Sequence, residues 1–252
     1  MSDKIIKIGD DFWNIRGSFR VGGVVNIGTH ASLIRRPSGR FVMLDSYAVS
    51  GDVKHQVDVL TNDGEMIDAI INLHPFHTVH VPAMHAMYPN AKLYGTERHK
   101  RRAPDLPFDS LAVDDPKFSD LFADVLEFSL PRGVDFISDN ENVHFSSVLA
   151  FHRASGTIHV DDTLMYLRAA LGAFKSGVRF HPTLPLALEK RRGASDDLRD
   201  WANDLIEEWG EARNLCAAHN AALRARGALA PRLEKALRRA EIYLKAHELR
   251  YR

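Results

Sequence analysis

The 252-residue chain has a single cysteine, Cys216, so no disulfide can close within it, and a reducing compartment fits. It also lacks any run of about 18 apolar residues, the length a membrane-spanning helix requires. Its first residues, Met-Ser-Asp-Lys, are polar and carry no apolar signal segment. A soluble, cytoplasmic protein without a membrane partner is expected. Net charge is missing too: Lys plus Arg number 33, and so do Asp plus Glu. Formal charge therefore gives no reason to expect nucleic acid or an acidic partner. The distribution is less even than the sum, because the last 30 residues carry an excess of Arg and Lys. No Gly-x-Ser-x-Gly elbow and no Gly-rich phosphate loop occurs, which sets aside the common serine-hydrolase and nucleotide-loop signatures. With no internal repeat and no convincing linker, residues 1–252 read as a single domain.

What the chain does have is histidine, 13 in all. Three fall in the stretch His74-Pro-Phe-His77-Thr-Val-His80, directly after the apolar segment Ile67 to Leu73. Neutral imidazole offers a lone pair near pH 7, which makes histidine the commonest protein metal ligand. Val81-Pro82-Ala-Met-His85-Ala-Met reads as a short helix with Pro in its first turn, and Ala91 to Gly95 as the next strand. Strand, histidine loop, helix and strand together make a βαβ-like unit and favour an α/β architecture.

Elsewhere, residues 12 to 60 read as a β-meander turned at Pro37-Ser38-Gly39, its Phe41 to Leu44 arm ending on Asp45. Gln56 to Asn62 reads as extended. Residues 96 to 132 read as loops and short helices broken by Pro104, Pro107, Pro116 and Pro131, with His99 to Arg102 as a solvated basic cluster. Gly133 to Ile137, Ser146 to Arg153 and Thr157 to Val160 are expected strands, and the pattern turns helical after residue 165. Ser195 is the expected cap of a helix whose buried face is Leu198, Trp201, Leu205 and Trp209. Residues 231 to 252 form a basic amphipathic helix, expected to pack on its own domain.

The polar residues at ends of apolar strands are Asp45, His74, His77, His80, His144, Asp162 and His219. Imidazole and carboxylate together suit Zn, Fe or Mn, and such an ion makes water nucleophilic near neutral pH. In this order the residues resemble a degenerate version of the metallo-β-lactamase fold superfamily. The run Leu73-His-Pro-Phe-His-Thr-Val-His80 lines up with the family's Thr-His-x-His-x-Asp-His. His144 in Asn-Val-His-Phe, Asp162 in Val-Asp-Asp-Thr-Leu and His219 in Ala-Ala-His-Asn line up with its later ligands, and Asp45 with the acid of its first strand pair.

The resemblance implies a four-layer αββα sandwich. It implies metal ligands His77, His80, His144, Asp162 and His219, with Asp162 shared and catalytic, and Asp45 in support. From the residues themselves, His74 is read as an additional ligand and His181 as lining the pocket. Two positions depart from the motif: Pro75 stands in place of the first histidine and Val79 in place of the aspartate. Each half of the family's site would then keep two histidines and the shared carboxylate, which favours one Zn or Fe ion over a pair. Two readings follow: a metal-dependent hydrolase with a small-molecule substrate, or a metal-free binding protein on the same fold. A nucleophilic hydrolase built on Cys216 ranks below both, since a lone cysteine in an apolar run behaves as a small hydrophobe.

Overall fold

The computed structural model describes residues 3–21, 25–167, 177–218 and 221–252. The chain divides into two compact units, Met1–Glu127 with His152–Ser155, and Phe128–Phe151 with Gly156–Arg252.

The first unit opens with β1 (Lys4–Gly9), β2 (Phe12–Gly17), a short ribbon of β3 (Arg20–Val21) and β4 (Val25–Asn26), β5 (Thr29–Arg35) and β6 (Phe41–Leu44). Then come α1 (Gly51–Thr61), β7 (Ile67–Ile71), α2 (Val81–Met87), β8 (Lys92–Tyr94) and α3 (Glu97–Arg102). Six strands form one sheet in the order β1-β2-β5-β6-β7-β8. The meander half is antiparallel, whereas β6, β7 and β8 run parallel with α1 and α2 as the crossovers. Val53 and Val57 of α1 and Val81 and Met84 of α2 pack on Ile15, Leu33, Met43, Ile70 and Leu93. Strand alternation puts those five on one face of the sheet.

The opposite face changes character along β2 and β5. Phe12 stands opposite Ile34, then Asn14 opposite Ser32, then Arg16 opposite His30. All six are buried. Buried polar groups must be bonded to be tolerated. Accordingly, the Asn14 side-chain amide donates to Ser32 Oγ at 3.0 Å and to the Ala31 carbonyl at 3.1 Å.

The segment expected to be extended at Gln56 to Asn62 lies in and just beyond α1. Val53, Val57 and Thr61 recur every fourth residue on its buried side, and that helical period outweighs the β-branched content. The basic cluster His99 to Arg102 is helical as α3, and it is not wholly solvated. Arg98 and His99 are buried, and the His99 ring closes a capping box with Thr96.

The second unit holds the sheet β15-β14-β11-β10-β9. Its strands are β9 (Glu127–Ser129), β10 (Leu149–His152), β11 (Thr157–Val160), β14 (Asn214–Ala217) and β15 (Ala222–Arg224). β12 (Leu164–Leu167) and β13 (Gly177–Phe180) make a separate antiparallel pair where a helix was expected. Gly133 to Ile137 is no strand; Val134 makes an isolated bridge to Leu188. α4 (Leu184–Ala187), α5 (Ala194–Trp209) and α6 (Ala230–Arg250) complete the unit.

Leu198, Trp201, Leu205 and Trp209 are all buried, as their spacing predicts. At roughly 1.5–3 kcal/mol for each large side chain, this one stripe supplies a substantial share of the helix's anchoring. α6 buries Leu233, Ala236, Ala240 and Leu244, and it packs against α5 and β13. Arg199 of α5 forks onto Glu241 at 2.8 Å and also binds Glu248, both on α6. Ser195 does not cap α5. Gly193, with φ 82°, holds the cap position, and Ser195 Oγ instead meets His247 Nδ1 at 2.8 Å.

Candidate functional site

In the first unit the site is built where β6 and β7 end. Asp45 follows β6 with φ 58°, a left-handed conformation that costs a non-glycine residue about 1 kcal/mol or more. Two bonds hold it there: its N–H donates to the Ile71 carbonyl at 2.8 Å, and its carboxylate accepts the Leu73 N–H at 2.8 Å. The histidine loop therefore leaves β7 tied to the acid of the neighbouring strand. Ser46 adds a bond to the Asn72 side chain at 2.7 Å.

On an extended chain His74 would point away from His77. The chain is not extended there. His77 N–H donates to the His74 carbonyl at 3.1 Å, closing a turn over Pro75 and Phe76, and Pro suits its second position. Residues three apart across a turn come side by side, so the two imidazoles stack with centroids 4.1 Å apart and planes 17° apart. Each offers a ligand nitrogen within 4.8 Å of the other's. The rings differ in readiness. His74 Nδ1 accepts the Phe76 N–H at 3.1 Å, so the proton of the neutral ring sits on Nε2. An ion bound at Nε2 would require that proton to move to Nδ1, at the expense of the Phe76 bond.

His80 occupies the N-cap position of α2, half-buried between Tyr47 and Phe19, whose rings stand edge-on at 5.2 and 6.2 Å. Burial first, and the neighbouring His77 second, push its imidazole below the ordinary value. It is thus neutral at pH 7, with its lone pair available. Its Nε2 is buried without a hydrogen-bond partner among the described residues. The motif's two departures are accommodated structurally. Val79 is 69% exposed, and the Pro75 carbonyl accepts the Arg98 guanidinium at 3.4 Å while that group stacks on Phe76.

A second pair lies deeper in the same unit. His30, on β5, and Asp45 present ligand atoms within 4.8 Å of one another. His30 is not among the candidates the sequence singles out. It is directly opposite buried Arg16, and a fixed guanidinium on the same face opposes a bound cation. This pair fits a charge-balanced polar layer better than a metal site.

In the second unit β11 ends on Val160, and Asp161, Asp162 and Thr163 follow, all buried. His159 and Asp161 bring ligand atoms within 4.8 Å of each other. Both were missed, although their separation by two residues is the strand period that puts side chains on one side. Thr163 Oγ1 donates to the Phe145 carbonyl at 3.0 Å and accepts the Ser147 N–H at 3.0 Å. The loop that carries His144 thus lies beside the aspartates, at the expected end of the strands. His144 Nε2 is 2.8 Å from the Glu141 carbonyl, inside its own loop, and His144 belongs to neither pair. His181 bonds Thr183 Oγ1 at 2.7 Å, which steadies the turn into α4. His219 lies outside the described residues.

In the first unit the donors fit a divalent ion in kind, as buried or half-buried imidazoles on a loop anchored to a strand-end carboxylate; in the second unit a buried aspartate follows β11.

No protein-family model matches the chain, and no curated protein sequence does. Solved structures do. DIM-1 metallo-β-lactamase exposed to ceftazidime aligns with a TM-score of 0.62 at 13% identity, over 96% of this chain and 98% of that one. A metallo-β-lactamase from Erythrobacter litoralis, with β-mercaptoethanol in its active site, gives 0.63 at 12% identity over 95% and 96%. FIM-1 from Pseudomonas aeruginosa, in its mono-zinc form, gives 0.62 at 12% over 98% and 97%. The chain has the α/β fold of the metallo-β-lactamases, as its histidine motif implied.

Proposed function

We propose that the protein is a metal-dependent hydrolase acting on a small molecule, with His77, His80, His144, Asp162 and His219 holding one Zn or Fe ion. The observation that carries this reading is the histidine loop on this fold: His74 and His77 stacked at 4.1 Å, and His80 Nε2 buried without a hydrogen-bond partner among the described residues. The order of the remaining donors along the chain supports it. The description of FIM-1 in a mono-zinc form supports the reading of a single ion. A bound divalent ion polarises a carbonyl or phosphoryl oxygen and makes water nucleophilic near pH 7.

The chain's own residues supply orientation. Asp45 fixes the start of the histidine loop through Leu73, the turn over Pro75 aligns His74 with His77, and burial keeps His80 neutral. Asp162 is the carboxylate that serves the reacting centre, and Thr163 fixes its backbone through Phe145 and Ser147. His181 braces α4 and takes no part.

Two observations favour a second reading, a metal-free binding protein: Val79 is exposed where the motif has an aspartate, and Arg16 sits beside His30. Metal analysis separates the two. Protein purified without added metal, stripped and titrated with Zn or Fe, should take up about one ion per chain in the wild type and much less after Asp162→Ala or His77→Ala. Absence of uptake by the wild type would support the binding protein.

A further inference from the structure

The acidic residues of α6 are engaged along its length. Glu234 pairs with Arg238 at 3.3 Å, and Glu241 and Glu248 both bind Arg199 of α5. Of the cations left over, Arg232, Lys235 and Arg239 are spaced three and four residues apart and therefore lie on one side of the helix, with Lys245 and Arg250 further along it. None of the three has an ion pair among the described residues. The segments outside them, residues 1–2, 22–24, 168–176 and 219–220, contain no Asp or Glu that could pair with these cations.

These three cations and Arg226 line a cavity of about 320 Å³ between the start of β13 and the first turns of α6, and no carboxylate lines it. Four positive charges gathered in one concave wall raise the local positive potential and attract an anion. Arg239 Nη1 is a buried donor with no acceptor among the described residues, and so is Nε of Arg179, the β13 residue beside it. From Arg232 to Arg239 the helix rises about 10 Å, too far for a single phosphate and suited to a chain of them. Arg239 also lines a second cavity of about 370 Å³, whose walls include Phe180, Leu184 and Tyr243. An aromatic ring fits there, next to the basic cavity. Both volumes are those of small-ligand pockets rather than of a strand-binding track.

We propose that the second unit carries a binding site for a nucleoside polyphosphate, with the phosphates against Arg226, Arg232, Lys235 and Arg239 and the base against Tyr243 and Phe180. The site lies on the second unit alone and does not depend on the metal reading.

The test is a titration of chelator-stripped full-length protein with ATP, inorganic tripolyphosphate, adenosine and short single-stranded RNA. ATP should bind saturably, tripolyphosphate more weakly and adenosine more weakly still. Arg232→Ala with Lys235→Ala, both exposed positions, should weaken ATP at least tenfold with the circular dichroism unchanged. Tyr243→Ala should weaken ATP about threefold or more and leave tripolyphosphate unaffected. Asp162→Ala, which tests the metal reading, should leave ATP binding as in the wild type. Absence of saturable ATP binding, equal binding by the folded double variant, or tripolyphosphate binding as tightly as ATP would overturn the proposal. So would RNA that binds more tightly than ATP and gains affinity with length.

Discussion

The Asp45 carboxylate accepts the Leu73 N–H at 2.8 Å, and Leu73 is the residue before the first histidine of the loop. One side chain at the end of β6 thereby sets where the loop leaves β7. Removing it leaves a buried N–H unsatisfied and an alanine in a left-handed conformation. Asp45→Ala should lower unfolding free energy by about 2–3 kcal/mol in a urea titration. Asp45→Asn keeps an acceptor and tolerates positive φ, so it should cost about 1 kcal/mol or less. Equal losses in the two variants would mean that the Leu73 bond is not what Asp45 provides.

Gly17 supports His80 at one remove. A Cβ on Gly17 would come 2.0 Å from the Tyr47 ring, which packs edge-on against His80 at 5.2 Å and donates through its hydroxyl to Asp3. Gly17→Ala should therefore destabilise by about 1–3 kcal/mol, the usual cost of overpacking. It should also shift the His80 ring resonances in NMR spectra, which a purely local backbone effect would leave in place.

His152 should make stability depend on pH. Its ring packs on Phe12 at 5.7 Å and its Nδ1 meets Ser155 Oγ at 2.8 Å. Burial lowers its affinity for protons more than the Asp11 carboxylate raises it, so it ends below the ordinary value of 6.5. The unfolded chain then binds the extra proton, and its contribution to stability is complete above about pH 6.5 and lost as pH falls toward the folded value. Thermal melts between pH 7.5 and about 5 should show the wild type losing more than His152→Gln. A parallel loss in both would assign the pH dependence to other groups.

Much of this architecture is legible in the residues themselves. The β7–α2–β8 unit follows from an apolar run, Pro82 in a first turn and a second apolar run, and the α5 stripe from the spacing of Trp201 and Trp209. What was not legible depends on partners distant in the chain or on turn geometry. Ser195 has the composition of a cap, yet its hydroxyl is taken by His247, 52 residues on. His30 looks like any strand histidine until register places it opposite Arg16. His74 meets His77 only because the chain turns over Pro75 and Phe76, a geometry that Pro75 favours but that spacing along the chain does not show. His159 with Asp161 is readable from the strand period, two residues apart on one side of the strand.

The most direct test of the metal reading is metal stoichiometry joined to a thermal melt of the stripped protein. On adding Zn or Fe, the wild type should bind about one ion per chain. Its melting temperature should rise as expected for a ligand that binds only the folded state, about 2.7 kcal/mol of stabilisation at a hundredfold excess over Kd. Asp162→Ala should take up much less and show a correspondingly smaller rise. A wild type that takes up no ion and melts at the same temperature with and without metal would contradict the account.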